Sequence, residues 1–270
     1  MKRCMLLGCA TLFLAVFVYR GDVFPLLSPL LALPDVPGGV QTLTVFLMLF
    51  SFFHAWYALG WRHTLVFFVS SAAISWGFEQ VGVETGLIYG PYHYTEGLGI
   101  RLGHVPLLIP LAWFMMIYPS YVIANLMTNG QLTGTRGGIG RLVWLSFLGA
   151  IVMTAWDVVM DPVMSGPVHR FWIWERGGPY FGVPIQNFVG WVLTTFVVYL
   201  VYRLFERRVA LRPAGPLTFA IAAMPLVAYG AMMLSNTLTA DPEAMRVVAP
   251  FAMGLPVVAA ADKLLKSGAG

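Results

Sequence analysis

Charge is what this sequence has least of. Only 10% of its 270 residues are Asp, Glu, Lys or Arg, whereas soluble domains carry about 25%. Such a chain cannot cover a water-facing surface. With 59% apolar residues and a mean hydropathy of +0.77, its main solvent is lipid. Cysteine is also scarce. Cys4 and Cys9 stand five positions apart in one apolar run, which excludes a disulfide framework; they read as buried small apolar residues. There is no Gly-x-Ser-x-Gly, no P-loop, no dinucleotide fingerprint and no Cys-x-x-Cys, so serine hydrolysis, ATP use and hydride transfer lack a foothold. The net charge of +4 is modest, and no basic patch points to nucleic acid.

What is present is a series of apolar runs. A bilayer crossing takes about 20 mostly apolar residues. Runs near 4–19, 40–59, 63–82, 104–127, 140–160, 185–204, 216–236 and 246–263 meet or approach that length. The fold class expected is therefore all-α: one polytopic membrane domain over 1–270, a bundle of seven or eight transmembrane helices. The first run reads as an anchor, since no small-x-small cleavage site follows it. Residues 22–36, interrupted by Pro25, Pro29 and Pro34, read as an interfacial loop.

With eight crossings and a cytoplasmic N-terminus, one side collects Lys2, Arg3, Arg62, Arg136, Arg141, Arg203, Arg207, Arg208, Arg212, Lys263 and Lys266. The other side has Arg20, Arg101, Arg170, Arg176 and Arg246. The positive-inside rule then puts both termini in the cytoplasm, in a multi-pass protein of the cell membrane. The acids divide the other way, only Glu206 and Asp262 falling on the inner side.

Polar chemistry gathers in two segments, 76–106 and 156–191, both assigned to the outer face. An offset of 78 residues relates them: Phe78-Glu79 to Trp156-Asp157, Val105-Pro106 to Val183-Pro184, Trp113 to Trp191, Tyr121 to Tyr199. Residues 63–127 and 140–204 would then be halves of a parallel repeat of two helical hairpins. Glu79 and Asp157 sit inside apolar patterns, where an ionisable group faces the bundle interior. Asp161 lies one helical turn beyond Asp157 on the same face, although Asp161-Pro162 also suits a helix end; Glu84 also suits an ordinary interfacial position. Buried, paired carboxyls are suited to proton transfer at neutral pH. Tyr89, Tyr92 and Tyr94, interleaved with Gly90 and His93, together with Trp113, Trp156 and Trp191, could line a pocket whose faces stabilise a cation. Trp172 and Trp174 read as interfacial belt residues. Asn187 could orient a water or a carboxylate, or cap a helix. His93 and His104 lack tight ligand spacing, so no metal site is expected. His54 and His63 read as helix-interior or interfacial.

Glu79-x4-Glu84-Thr-Gly-x2-Tyr89-Gly-x-Tyr92-x-Tyr94, then Gly-x-Val-Pro and a helix with Trp113, resembles the membrane carotenoid-biosynthesis family. That family includes the carotenoid 1,2-hydratases and the bisanhydrobacterioruberin hydratases. The run Trp156-Asp157-x3-Asp161-Pro, Trp172-x-Trp174, then Gly-x-Tyr-x-Gly-Val-Pro-x-x-Asn187-Phe-x-Gly-Trp191 continues the likeness, which covers roughly 40–205. The resemblance implies water addition across the terminal double bond of an acyclic carotenoid end group, giving a tertiary alcohol without a redox cofactor. It also implies the lipid bilayer, a carotenoid substrate whose polyene can lie among apolar helices, and other carotenoid-biosynthesis enzymes as partners. Roles assigned from chemistry are proton donor for Glu79 or Asp157, water orientation for Asp161, Glu84 or Asn187, and cation lining for Tyr89, Tyr92, Trp113 and Trp191. A proton-coupled transporter and a non-catalytic scaffold are the alternatives.

Overall fold

The computed structural model describes residues 2–18, 39–134 and 137–268. The proline-broken stretch 22–36, Arg20 and Arg136 lie outside the described residues.

The chain is an all-α membrane bundle. Its helices are α1 (Lys2–Val18), α2 (Gly39–Leu59), α3 (Trp61–Thr85), α4 (Leu108–Asn129), α5 (Ile139–Ser165), α6 (Ile185–Glu206), α7 (Phe219–Thr239), α8 (Ala244–Ala252) and α9 (Gly254–Gly268). Among the described residues, seven helical stretches are long and apolar enough to cross a bilayer: α2 to α7, and α8 with α9 taken together as Ala244–Ser267. The first run forms a helix of only 17 residues. It packs along α2 and leaves its other side uncovered, so Cys4 is half-buried and Cys9 exposed, not buried as the sequence suggested.

Helix ends follow local chemistry. Gly86 and Gly130 end α3 and α4 in the left-handed conformation, where a side chain would be strained, and each N–H returns to a carbonyl of the last turn. Pro119, Pro162 and Pro225 stay inside helices, since neighbouring helices in a membrane bundle can satisfy the freed carbonyls. Asp161-Pro162 accordingly does not end α5, which runs on to Ser165. Every residue of α4 from Trp113 to Leu126 is buried, as in a helix surrounded by others. Around it α2, α3, α6, α5, α8 and α7 pack each on the next.

The loops joining α3 to α4 and α5 to α6 emerge at the same end. Each contributes one strand, β1 (Tyr92–Tyr94) and β4 (Trp172–Trp174), which pair antiparallel with Tyr92 opposite Trp174 and Tyr94 opposite Trp172. A smaller ribbon joins β2 (Arg101–Leu102) to β3 (Val105–Pro106). The β1–β4 ribbon roofs this end of the bundle. Beneath it the ring of Tyr89 lies between Gly82 of α3 and Gly190 of α6, and its hydroxyl meets Thr194 Oγ1 at 2.8 Å. A methyl group on Gly190 would stand 2.5 Å from the Tyr89 ring and 2.6 Å from the Ile88 carbonyl. Gly190→Ala is therefore expected to destabilise the protein by about 1–3 kcal/mol, read as a lower midpoint of unfolding in detergent.

At the opposite end, buried charge is tied into an aromatic layer. Arg203 and Glu206 lie 3.8 Å apart, the Arg203 guanidinium sits 4.5 Å above the Tyr121 ring, and Tyr121 donates to Glu206. His54 is interior, held by the Tyr118 hydroxyl and the Ile221 carbonyl.

Candidate active site

Under the ribbon lies a cavity of about 300 Å³. Its polar centre consists of two carboxylates, each held by a pair of aromatic donors from the strand of its own hairpin. Side chains alternate along a strand, so Tyr92 and Tyr94 point inward together and His93 points out. Both phenols donate to Glu79 Oε2, Tyr94 at 2.8 Å, and the Trp113 indole donates to Oε1 at 3.0 Å. On β4 the same alternation aims Trp172 and Trp174 at Asp161 Oδ1, at 2.9 and 3.1 Å. The Asn187 amide, in the first turn of α6, donates to Asp161 Oδ2 at 2.7 Å and to Asp157 Oδ2 at 2.9 Å. Asn187 therefore bridges two carboxyls and does not cap its helix. Asp157 Oδ1 is buried without a hydrogen-bond partner.

Trp172 and Trp174 are thus not only belt residues; they are half of the donor set around Asp161. Their signal in the sequence was the Trp-x-Trp alternation, which matches Tyr92-x-Tyr94 and places two rings on one face.

Trp113 and Trp191, the pair related by the 78-residue offset, stack on each other with centroids 4.0 Å apart, and Trp156 meets Trp191 edge-on at 5.9 Å. Glu79, Asp161, Asn187, Tyr89, Tyr92, Tyr94, Trp113, Trp156 and Trp191 all line the cavity, and Asp157 lies directly behind Asn187.

Two of the sequence candidates lie apart from it. Glu84, one turn past Glu79 on the exposed end of α3, accepts from Gln80 and faces His104 at 3.7 Å. His93, on the outer face of β1, faces Glu175 at 3.4 Å. Both are solvent-exposed pairs, and neither can touch a molecule in the cavity. Conversely, His169 and Phe171 line the cavity although the sequence did not single them out. Burial lowers the basicity of the His169 imidazole.

Burial and the nearby Glu79 charge push the Tyr92 and Tyr94 phenols well above their usual range. They act as neutral donors, not as acids that ionise. Among the described residues, no Lys or Arg lines the cavity. Three carboxyls in so apolar a site cannot all be ionised without a cation beside them, so the arrangement suits groups that hold and pass a proton. Among the described residues, no three His, Cys, Asp or Glu side chains are grouped as metal ligands would be.

Residues 39–265 match the family profile described as carotenoid biosynthesis protein. The chain belongs to this family. Over 145 residues it is 34% identical to the bisanhydrobacterioruberin hydratase of Haloarcula japonica, a match covering 53% of this chain and 46% of that protein. The chain thus aligns with less than half the length of this curated relative. No solved structure matches it. Family membership gives the polar cavity a context: a membrane protein of carotenoid biosynthesis with its polar groups drawn together at one end of an apolar bundle.

Proposed function

We propose that this protein is a carotenoid hydratase, which adds water across the terminal carbon–carbon double bond of an acyclic carotenoid end group. The observation that carries the reading is the pair of carboxylates under one ribbon, Glu79 and Asp161, each with three donors and both facing one largely apolar cavity. The name of the Haloarcula japonica relative supports it.

Glu79 supplies the proton. Protonating an alkene demands an acid whose conjugate base is well stabilised, and Tyr92, Tyr94 and Trp113 supply that stabilisation. The proton goes to the less substituted alkene carbon, and a tertiary cation forms on its neighbour. The stacked faces of Trp113 and Trp191 lie beside it. Water held by Asp161 and Asn187 then forms the new carbon–oxygen bond and gives its proton to the Asp157–Asp161 pair. A proton returning to Glu79 through solvent resets the site, and the net change is the addition of one water. No redox step occurs.

In this reading 63–127 and 140–204 are the two halves of a parallel repeat, the first contributing Glu79 and β1 and the second Asp157, Asp161 and β4. The ribbon end faces away from the cytoplasm and both termini are cytoplasmic, with α1 as an eighth, shorter crossing beside α2, as the placement of Arg203, Arg207, Arg208, Arg212 and Lys263 at the other end suggests. Other carotenoid-biosynthesis enzymes would supply the substrate or take the product.

Expression of this chain alone in a lycopene-producing host is the direct test. Pigment heavier by the mass of one water is expected in extracts analysed by mass spectrometry. Unchanged pigment would sink the proposal and leave a carrier or a scaffold. Asp161→Asn, which keeps the shape but removes the base, should lower the hydrated fraction about 10²-fold or more at equal protein level.

A further inference from the structure

The cavity has room for an end group but not for the length of a polyene, so the rest of a bound carotenoid must leave it through a side of the bundle. Among the described residues, helices pack each on the next from α2 through α3, α6, α5 and α8 to α7, with α9 against α4, α7 and α8, and no close helix packing joins α7 to α2, which leaves a seam between those two. At the end opposite the ribbon this seam is shut. His54 of α2 binds the Ile221 carbonyl of α7 at 2.8 Å, and the Tyr57 carbonyl accepts the Ala214 N–H of the segment leading into α7. At the ribbon end the two helices instead flank the cavity, α2 with Val40, Leu43 and Thr44, α7 with Met232, Ser235 and Asn236. The roof is fastened to α2 on this side, since Gln41 donates to the Gly97 carbonyl at 2.9 Å. An opening here therefore points sideways into the apolar layer. Beside it α7 presents the exposed side chains of Leu234 and Leu238.

We propose that the ribbon-end half of the α2–α7 seam is the entry and resting site for the apolar chain of the substrate, a long isoprenoid that slides in from the lipid with its terminal double bond leading toward Glu79 and Asp161. The polarity of the walls fits this order. Thr44 donates to the Val40 carbonyl and Asn236 to the Met232 carbonyl of its own helix. The Thr44 hydroxyl and one amide hydrogen of Asn236 are thus engaged by their own helices, and the paired aromatic donors are met at the carboxylates. A hydrocarbon stem costs little to pass, and the reacting end is the part that gains by reaching the centre.

The inference rests on the hydratase reading for the identity of the chain, but its test reads binding separately from turnover. In a Cys4→Ser/Cys9→Ser background, Val40→Cys places one thiol at the seam, in the first turn of α2. Folding precedes modification, so N-phenylmaleimide then blocks the seam of an already folded protein. The probe is lycopene in detergent, detected by quenching of tryptophan fluorescence, with Trp113, Trp156 and Trp191 at the cavity wall. Alkylation should weaken half-saturation at least tenfold relative to the same Val40→Cys protein before modification. Alkylated Val81→Cys, exposed on α3 outside the cavity, should bind unchanged. Equal binding before and after alkylation at Val40 would overturn the seam, as would equal loss at both positions. Loss confined to Val40 in a protein whose parent binds lycopene but never hydrates it would uphold the seam and reject the hydratase.

Discussion

Glu79→Gln is expected to lower carotenoid hydration by about 10²–10⁴-fold while leaving the protein folded, a range typical for loss of a general acid. Glutamine has the shape of the native residue but no proton to give. Its amide can also be accommodated. With the carbonyl oxygen toward the Trp113 indole, the NH2 group faces Tyr92 and Tyr94, whose hydroxyls can turn from donating to accepting. Trp113 has no such freedom, which fixes the orientation. Glu79→Ala should behave differently. It strands three buried donors, each costing about 1–3 kcal/mol, and should lower the unfolding midpoint as well as activity. Tyr92→Phe removes a single donor from the carboxylate left after proton transfer. It should slow hydration by roughly tenfold, corresponding to about 1.5 kcal/mol for a bond to a charged group. Pigment mass spectrometry and detergent unfolding, run side by side on the variants, separate these outcomes. A fully active Glu79→Gln variant would move the acid to Asp157.

The largest loss of stability is expected at the other end of the bundle, at Arg203→Met. Arg203 and Glu206 have essentially no exposed side-chain surface and lie 3.8 Å apart. Removing one member of a buried ion pair leaves the other charge in an apolar setting and costs about 3–5 kcal/mol. Glu206 also accepts hydrogen bonds from the Tyr121 hydroxyl and the Gly134 N–H, neither of which carries charge. The guanidinium also covers the face of Tyr121, a packing contact that methionine restores only in part. Adding Glu206→Gln should recover part of the loss, because the carboxylate that faced Arg203 is then replaced by a neutral amide. Equilibrium unfolding of both variants in detergent tests this, and a cost below about 1 kcal/mol for Arg203→Met would contradict it. Hydration by the double variant should stay close to that of the parent, since neither residue lines the cavity.

The membrane bundle could be read from the sequence because lipid imposes a one-dimensional rule. An apolar run of sufficient length must become a helix, and α2 through α7 fall within a few residues of the expected runs. The first run was the exception: at 17 residues α1 is shorter than the seven that can cross. Glu79, Asp157 and Asp161 were visible for a related reason, since an acid within an apolar helix must find company. Their partners were less visible. The distinction between a belt tryptophan and a carboxylate donor lies in which strand lies opposite, and Trp174 meets Tyr92 across some eighty residues of chain. Glu84 and His93 show the converse error. Proximity in sequence placed them beside the site, and helix and strand geometry turned them outward.

Hydropathy along the chain was enough to place it in a membrane, to gather its polar chemistry at one end of the bundle and to single out acids within apolar helices, because hydropathy and the cost of buried charge act on each residue locally. It took the folded arrangement to pair Tyr92 and Tyr94 with Glu79 and Trp172 and Trp174 with Asp161, to join two carboxyls through Asn187, and to set the cavity against α2 and α7. Those facts depend on hydrogen bonds and packing between segments far apart in the chain, whose geometry no local pattern records.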